Sequence, residues 1–456
     1  MLFPTFTFIL GFLPITFILY FLFAKKSTQL ARIWLIGASL VFYSWFNWSY
    51  FFILASSIAM NRLFSINLER HKSKLMFLLG VIANIILLAY FKYYDFFVEN
   101  INSLFGTSWT LKHILLPLGI SFFTFQQISY LQQVYERTLE KRYTLSTYSL
   151  FVCFFPQLIA GPIVLPDEMM SQFDKEENYK PNLVNIATGI YVFALGLGKK
   201  ILLADLFAEI ADKGFTNITS NFFDSWISAF AYMFQIYFDF SGYCDMAIGI
   251  ALLFNIKLPV NFDAPYKSEN ITVFWRRWHI TLGRFLMSSI YIPLGGNRKG
   301  TFRTYCNLVI TFFISGLWHG ASWLFVLWGM LHGAGLVIHR IWCKHLNCSM
   351  PKFLGRAITF FFVLIAWVPF RAANWSQAKG LYKGMFMPEK WNIPKFDLDN
   401  TLLFIAGFII VFFFPSISKV TQKFKPTVVN FIIAATLITV SMFFFVKYSP
   451  FIYFNF

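Results

Sequence analysis

Residues 307–330 of this chain read NLVITFFISGLWHGASWLFVLWGM, a membrane-length apolar stretch that contains His319. About 20 apolar residues are enough for a helix to cross a bilayer, so this stretch predicts helix at membrane depth. An ionisable side chain is costly there and marks a functional site by default. Small residues on both sides, such as Gly316 and Gly320, leave room for close helix approach or for a substrate chain. His319 is therefore the first candidate functional residue.

The composition predicts a membrane protein along the whole length. Of 456 residues, 57% are hydrophobic and 13% are charged, which differs strongly from soluble domains. We predict an all-α polytopic membrane protein, a single domain over residues 1–456, with about eleven transmembrane helices plus re-entrant and interfacial helices around a central funnel or tunnel. The first apolar run, Leu2 to Ala24, lacks a small-residue cleavage site, and we interpret it as a retained span.

Two predicted spans contain helix-breaking residues. The span near 113–134 contains Pro117 and Gly119, and the span near 148–165 contains two prolines and a glycine. Such breaks at membrane depth are tolerated only where protein or a wet cavity satisfies the freed backbone groups. No internal repeat is visible, which weakens the case for a transporter built from duplicated halves.

The positions of lysine and arginine predict the orientation. Basic clusters mark five loops as cytoplasmic, at residues 25–32, 62–74, 137–142, 340–356 and 419–425. This topology places the N-terminus, the loop 374–400 and an aromatic motif at 447–456 on the periplasmic side. The net charge of +17 reflects this bias or a basic surface that attracts an anion such as coenzyme A. It gives no support for a nucleic-acid partner.

The segment 256–304 differs from its neighbours because basic and aromatic residues alternate along it. Amphipathic helices that lie in the plane of the membrane interface have this pattern. We expect the segment to form the cytosolic mouth of a cavity. Arg276, Arg277 and Arg298, together with Trp278, are candidates for binding the phosphates of coenzyme A. Ordinary cytoplasmic positive charge beside interfacial aromatic residues explains them equally well.

Several segments together resemble the membrane-bound O-acyltransferase superfamily, in particular its bacterial branch of alginate and peptidoglycan O-acetylation proteins. In chain order they are FPQLIAGPI (155–163), QIYFDFSGYCDMAIG (235–249), NFDAPYKS (261–268), FWRRWHITL (274–282), YIPLGGNR (291–298) and GLWHGA (316–321). Order and spacing match from roughly residue 115 onward. The resemblance implies transfer of an acyl group from a cytosolic thioester across the membrane. It also implies that His319 is the catalytic histidine and His279 the second functionally important one.

The chemistry of imidazole suits this role for His319. A neutral ring can accept the proton of an attacking hydroxyl, a step that contributes about 10²–10⁴-fold to a rate. The alternative is a structural histidine, hydrogen-bonded between helices. His279 either is satisfied by backbone groups at the interface, or binds the thioester arm or lines a tunnel below His319. A metal site formed by His319, His332 and His339 would need a carboxylate or thiolate companion, and none has suitable spacing, so we expect no metal.

The terminal segment, residues 451–456, has two interpretations. Its aromatic rings could anchor the last helix at the outer interface. The segment also resembles a Phe-x-Tyr-x-x-Phe motif found on a small separate partner in teichoic-acid D-alanylation, and Phe451, Tyr453 and Phe456 match it here. The resemblance implies that Tyr453 carries the acyl group. If the terminal segment folds back, its hydroxyl attacks the thioester with His319 as base.

Asp239 and Asp245 lie in one aromatic stretch, and a spacing of six does not place them on the same helical face. We expect both to be structural and to bond to neighbouring helices, because carboxylates at membrane depth are usually paired.

The sequence thus predicts a bacterial inner-membrane enzyme that moves an acetyl group from cytosolic acetyl-CoA for O-acetylation of a cell-envelope polysaccharide. Peptidoglycan is slightly favoured over an alginate-like exopolysaccharide because the chain is compact. The chain has no Gly-x-Ser-x-Gly elbow with which to modify a sugar itself. We therefore expect a periplasmic SGNH-type O-acetyltransferase as partner, besides membrane lipid. The alternatives are a transporter for a small polar solute and a lysophospholipid acyltransferase.

Overall fold

The computed structural model describes residues 1–346, 350–393, 397–445 and 451–452. Within these ranges the chain is predominantly helical and forms no β-strand; one isolated bridge pairs Asn221 with Lys390. The predicted all-α polytopic architecture is confirmed.

The α-helices, numbered in chain order, are α1 Leu13–Ala24, α2 Thr28–Ser44, α3 Ser49–Arg70, α4 Lys74–Phe105, α5 Ile120–Glu136, α6 Leu145–Cys153, α7 Phe155–Leu158, α8 Pro166–Phe173, α9 Leu183–Gly198, α10 Asp205–Thr216, α11 Phe222–Leu253, α12 Ile271–Arg277, α13 Ile280–Leu286, α14 Thr301–His319, α15 Trp323–Ile341, α16 Lys352–Arg371, α17 Trp375–Phe386, α18 Leu398–Phe413, α19 Ile417–Lys423 and α20 Val428–Phe443. Short π-helical segments are Thr7–Phe12, Lys199–Ala204, Met287–Tyr291 and Trp342–Leu346, and the 3₁₀ turns are Glu176–Tyr179 and Pro265–Lys267.

Seven helical segments of the described chain are long and apolar enough to cross a membrane: Thr7–Ala24, Ser49–Arg70, Lys74–Phe105, Leu183–Thr216, Phe222–Leu253, Trp323–Lys344 and Lys352–Arg371. An eighth span results if the bent pair α18 and α19 is counted as one. The predicted number of about eleven is not confirmed. Three expected spans, α2, α5 and α20, have 17, 17 and 16 residues, slightly short of the usual crossing length.

The chain forms two compact units. The first comprises Met1–Ala194, Cys244–Pro259 and Lys425–Thr436. The second comprises Leu195–Tyr243, Val260–Phe424 and Leu437–Phe456.

In the first unit, the helix breaks predicted by proline and glycine are surrounded by protein. Helix α5 begins directly after Gly119, whose φ is +71°, and a Cβ there would lie 2.6 Å from the carbonyl oxygen of Leu158. Gln126 Nε2 donates to Gln157 Oε1 over 2.6 Å, and Gln157 Nε2 donates to the carbonyl oxygen of Phe151 over 2.7 Å. Protein amides therefore satisfy groups near the break, as membrane depth requires.

In the second unit, α14 and α15 pack backbone to backbone. A Cβ on Gly316 would collide with the carbonyl oxygen of Phe325, and a Cβ on Gly329 with that of Phe312. The close helix approach suggested by the small residues beside His319 is therefore present. This contact fixes the end of α14, where His319 lies.

The described segment 260–304 forms α12, α13 and the π-helical turn Met287–Tyr291. Its aromatic residues Phe274, Trp278 and Phe285 are buried, whereas Arg276 is exposed. Apolar and charged side chains are thus segregated, as in amphipathic helices. The interfacial position of the segment stays a prediction.

Candidate active site

His319 is the last residue of α14, which ends where Gly320 adopts an extended backbone. Its side chain is 3% exposed. Three rings surround the imidazole at centroid distances of 4.8 Å (Trp318), 4.9 Å (Trp328) and 5.1 Å (Phe370), all steeply inclined to it. Helices α14, α15 and α16 each contribute one of these rings. The result is an imidazole in an aromatic enclosure that is almost fully shielded from solvent.

His279 lies between α12 and α13 in a left-handed backbone conformation, with φ +45° and ψ +51°. Asn261 stabilises this turn. Its carbonyl oxygen accepts the backbone N–H of Ile280 over 3.0 Å. Its side-chain Oδ1 accepts the backbone N–H and the hydroxyl of Thr281, over 3.2 and 2.9 Å. Left-handed conformations of non-glycine residues are strained and cluster at active sites.

The side-chain oxygen of Asn261 also determines which ring nitrogen of His279 carries the proton. Oδ1 lies 3.2 Å from Nδ1 of His279. Because Oδ1 already accepts a backbone N–H, the ring nitrogen must be the donor and carry the proton. Burial lowers the pKa of His279 to about 3, so the ring is neutral at pH 7 and its lone pair resides on Nε2. This buried Nε2 has no hydrogen-bond partner in the described chain. His279 therefore presents a proton acceptor.

The structure brings His279 and His319 together, with ring centroids 6.4 Å apart. His279 is fully buried, and the ring of Phe240 meets it edge-on at 4.7 Å. At this separation, one small reacting group that lies beside the rings can contact both imidazoles. Proton transfer between such a group and a buried base is the chemistry that the arrangement permits.

The four residues predicted to bind coenzyme A lie in two environments. Arg276 and Arg298 are exposed and Arg277 is half-buried; none forms an ion pair with a carboxylate in the described ranges. Trp278 is buried, and its ring stacks on Phe274 at 5.7 Å with an interplanar angle of 14°. The arginines are thus accessible to an anion, whereas Trp278 is buried in the core.

The remaining candidate histidines have separate partners. Nε1 of Trp275 donates to Nδ1 of His332 over 3.2 Å, and His339 Nδ1 lies 3.0 Å from the hydroxyl oxygen of Thr272. Among the described residues, no group of three histidine, cysteine or acidic side chains could hold a metal ion.

Asp239 is paired within the second unit, as its position in an apolar helix predicted. Its Oδ1 lies 3.0 Å from Nζ of Lys200, which also lies 2.7 Å from Oδ1 of Asp205. Its Oδ2 accepts the backbone N–H of Ile452 over 2.8 Å. One carboxylate therefore contacts both a neighbouring helix segment and the end of the chain.

Tyr453, the predicted acyl carrier, lies outside the described residues. The two residues immediately before it, Phe451 and Ile452, are described and buried. The ring of Phe451 lies 5.8 Å from that of Phe240, which in turn contacts His279. The described part of the terminal segment therefore lies one aromatic ring away from the histidine pair.

Sequence reasoning gave no role to Asn261 or to the rings of Trp328 and Phe370. Asn261 precedes His279 by 18 residues, and no local pattern signals their contact. Asn261 does lie within a recognised motif, but the motif alone does not indicate that His279 is its partner.

Comparisons with known proteins identify the family of this chain. The sequence model of the membrane-bound O-acyltransferase family matches residues 136–374. The chain is 46% identical to the peptidoglycan O-acetyltransferase of Helicobacter pylori, over 84% of this chain and 80% of that protein. It is 37% identical to the probable alginate O-acetylase AlgI of Pseudomonas aeruginosa, over 91% and 81%. It is 29% identical to the teichoic acid D-alanyltransferase of Streptococcus thermophilus, over 51% and 59%. This chain, a multi-pass membrane protein and an acyltransferase, belongs to the membrane-bound O-acyltransferase family.

Proposed function

We propose that this protein moves an acetyl group from cytosolic acetyl-CoA across the bacterial inner membrane for O-acetylation of a cell-envelope polysaccharide. The observation that carries the proposal is the buried pair of His279 and His319, 6.4 Å apart, in a family of acyltransferases. Acetyl as the acyl group follows from the names of the relatives. Peptidoglycan is favoured over alginate because the identity is 46% to a peptidoglycan enzyme and 37% to an alginate enzyme.

His319 is the general base in this proposal. It accepts the proton of an attacking hydroxyl as the new C–O bond forms and the thioester C–S bond breaks. The proton then passes to the departing thiolate, so the products are an acetyl ester and free coenzyme A. A hydroxyl has one proton to donate. His279, neutral with an unprotonated Nε2, accepts this hydrogen bond before the reaction and so orients the hydroxyl, and His319 then takes the proton. The aromatic enclosure keeps out water, which would otherwise hydrolyse the thioester.

The first acceptor is the hydroxyl of Tyr453. Two observations support this assignment: the match to the Phe-x-Tyr-x-x-Phe motif, and the burial of Phe451 and Ile452 directly before it. A periplasmic SGNH-type transferase then removes the acetyl group from the tyrosine ester through its own serine. The freed tyrosine hydroxyl is ready for another round, and the partner esterifies the polysaccharide.

Arg276, Arg277 and Arg298 bind the phosphates of the donor in this proposal. Guanidinium groups form paired, charge-assisted hydrogen bonds with phosphate oxygens. Trp278 is buried directly after the last residue of α12 and anchors the helix that carries two of these arginines.

Mass spectrometry of the C-terminal peptide after incubation with acetyl-CoA tests donor, acceptor and acyl group together. The expected result is one acetyl group on Tyr453. Tyr453→Phe should remove this mass and abolish transfer to polysaccharide while the protein stays folded. Tyr448→Phe, which changes the other tyrosine among the last ten residues, is the matched control and should behave as wild type. Full transfer by Tyr453→Phe would contradict the relay.

The same incubation with radiolabelled donor separates the alternatives. Label that moves into phospholipid indicates a lysophospholipid acyltransferase. Solute flux across vesicles without any labelled product indicates a transporter. Label that is retained on the chain and lost in His319→Ala supports the proposed function.

A further inference from the structure

A second buried polar cluster lies in the second unit, and the histidine chemistry does not use it. It consists of Lys200, Asp205 and Asp239, whose side chains are 2%, 8% and 2% exposed. Nζ of Lys200 lies 2.7 Å from Asp205 Oδ1 and 3.0 Å from Asp239 Oδ1. We call these three residues the charged cluster.

Charges at this depth require a physical reason. Desolvating them costs several kcal/mol per ion, and mutual attraction offsets this only in good geometry. One lysine with a single carboxylate would already form a neutral pair. Asp205 alone supplies that partner at the shorter distance. The second carboxylate, Asp239, therefore needs an explanation beyond neutralising Lys200.

The contacts of Asp239 supply that explanation. Its Oδ1 faces Lys200, and its Oδ2 accepts the backbone N–H of Ile452 over 2.8 Å. A hydrogen bond from a backbone N–H to an ionised carboxylate is roughly twice as strong as one between neutral groups. The lysine fixes the carboxylate, and the carboxylate fixes the backbone of the terminal segment.

A second, apolar contact holds the same piece of chain. Phe451 is 1% exposed, and its ring lies 4.7 Å from that of Tyr243 and 5.8 Å from that of Phe240. Both rings belong to α11, the helix that carries Asp239. Two adjacent residues of the terminal segment are thus anchored on one helix by different forces. The next residue in the chain is Tyr453.

We propose that Asp239, held by Lys200, is a positioning residue that clamps the backbone at Ile452 and so presents Tyr453 for acyl transfer. The role of Tyr453 rests on the proposed function. The clamp itself is a statement about where the terminal segment is held and can be measured without any acyl chemistry.

The test compares Asp239→Ala with Asp205→Ala in the full-length protein in detergent. Each variant removes one of the two carboxylates that pair with Lys200 and keeps the other. Asp239→Ala also removes the hydrogen bond to the backbone of Ile452. Release of the C-terminal residues by a carboxypeptidase should be about tenfold faster or more in Asp239→Ala, because a hydrogen bond to a charged group is lost. Release from Asp205→Ala should match wild type. Equal release rates in wild type and Asp239→Ala, or equal acceleration in both variants, would overturn the clamp.

Enzyme kinetics give a readout that a merely structural role would not produce. In Asp239→Ala, the single-turnover rate constant for acetylation of the terminal peptide should fall by about tenfold or more, with the apparent KM for acetyl-CoA unchanged. A parallel change in KM would show general damage to the site and contradict the proposal. If Asp239→Ala fails to fold, Asp239→Asn keeps the side-chain volume and removes the charge. It should also release the terminal residues faster than wild type, and a wild-type rate would overturn the clamp.

Failure of the clamp and failure of the relay give different results. If Tyr453→Phe keeps full transfer while Asp239→Ala still frees the terminal residues, the relay is wrong and the clamp is correct. If Tyr453→Phe abolishes transfer while Asp239→Ala leaves the terminal residues protected, the clamp is wrong and the relay is correct.

Discussion

The second unit buries two polar clusters that are built in opposite ways. The histidine pair uses neutral rings inside an aromatic enclosure, and Nε2 of His279 has no hydrogen-bond partner in the described chain. The charged cluster uses full charges, and both oxygens of Asp239 are engaged, one by Lys200 and one by Ile452. Burial does not distinguish them, because His279 and Asp239 are 0% and 2% exposed.

The difference lies in the partners. Leaving a buried acceptor without a hydrogen bond costs about 1–3 kcal/mol, and a protein retains such a group where a reacting molecule will supply the missing partner. A polar group whose hydrogen bonds and ion pairs are formed within the protein instead has a structural role. On this criterion His279 is a reactive group, whereas Asp239, which contacts a lysine and a backbone N–H, is a positional one. The predictions below test that distinction.

The largest effect is expected from the imidazole at the end of α14. His319→Ala should lower acetyl transfer by about 10²–10⁴-fold, the usual contribution of general base catalysis, while thermal unfolding changes little. Radiolabelled acetyl-CoA measures the rate. The control is His71→Ala, which removes an exposed histidine of the first unit and should leave the rate unchanged. A rate for His319→Ala within a few-fold of wild type would remove the basis for calling this cluster reactive.

Asn261→Ala should produce the next largest effect, because it removes the acceptor that keeps the proton on Nδ1 of His279. We expect kcat to fall by about tenfold to a hundredfold, within the range for impaired proton transfer. Thr281→Val is the matched control, since it removes a hydroxyl from the same oxygen and leaves the histidine contact.

A double mutant tests whether Asn261 acts through His279. Residues that act as a unit have non-additive effects. Asn261→Ala combined with His279→Ala should therefore be no slower than His279→Ala alone. Additive losses would mean that the asparagine acts independently of the imidazole.

The two clusters also differ in how much of them the sequence could predict. Composition and apolar runs of membrane length predicted the helical membrane fold, and recognisable motifs supplied His319 and His279. The partners that define chemistry are remote in sequence: Asn261 lies 18 residues before His279, and Ile452 lies 213 residues after Asp239. Such contacts depend on a left-handed turn and on chain reversal, which local patterns do not encode.

The number of membrane spans was unpredictable for a related reason. Hydropathy reports how apolar a segment is and does not distinguish a lipid-facing helix from one buried in protein. Helix α5, for example, is 17 residues long and almost wholly buried. A sequence count treats it as a crossing equal to α4, which has 32 residues.

The close packing of α14 on α15 should also contribute to the stability of the region that carries His319. Gly316→Ala forces a methyl group against the carbonyl oxygen of Phe325, and overpacking of this kind costs about 1–3 kcal/mol. A lower thermal unfolding midpoint in detergent measures it. Gly37→Ala in α2 has nothing within 4 Å of the added carbon and should be neutral or slightly stabilising. Equal midpoints for the two variants would show that α14 and α15 can separate at no cost.

The smallest effect is a pH dependence of stability that comes from the reactive cluster. Burial lowers the pKa of His279 from 6.5 to about 3, so between these values the unfolded chain binds a proton that the folded protein does not. Stability must then fall as the pH decreases below 6.5, by up to about 1.4 kcal/mol per pH unit for one such group. His279→Gln cannot titrate and should lack this component. Unfolding midpoints of wild type and variant, measured from pH 7 to about pH 5, should therefore converge or cross as the pH falls. If the two curves of midpoint against pH stay parallel, His279 is protonated to the same extent in the folded and the unfolded chain. The folded protein would then have no unprotonated Nε2, and the contrast between the two clusters would be lost.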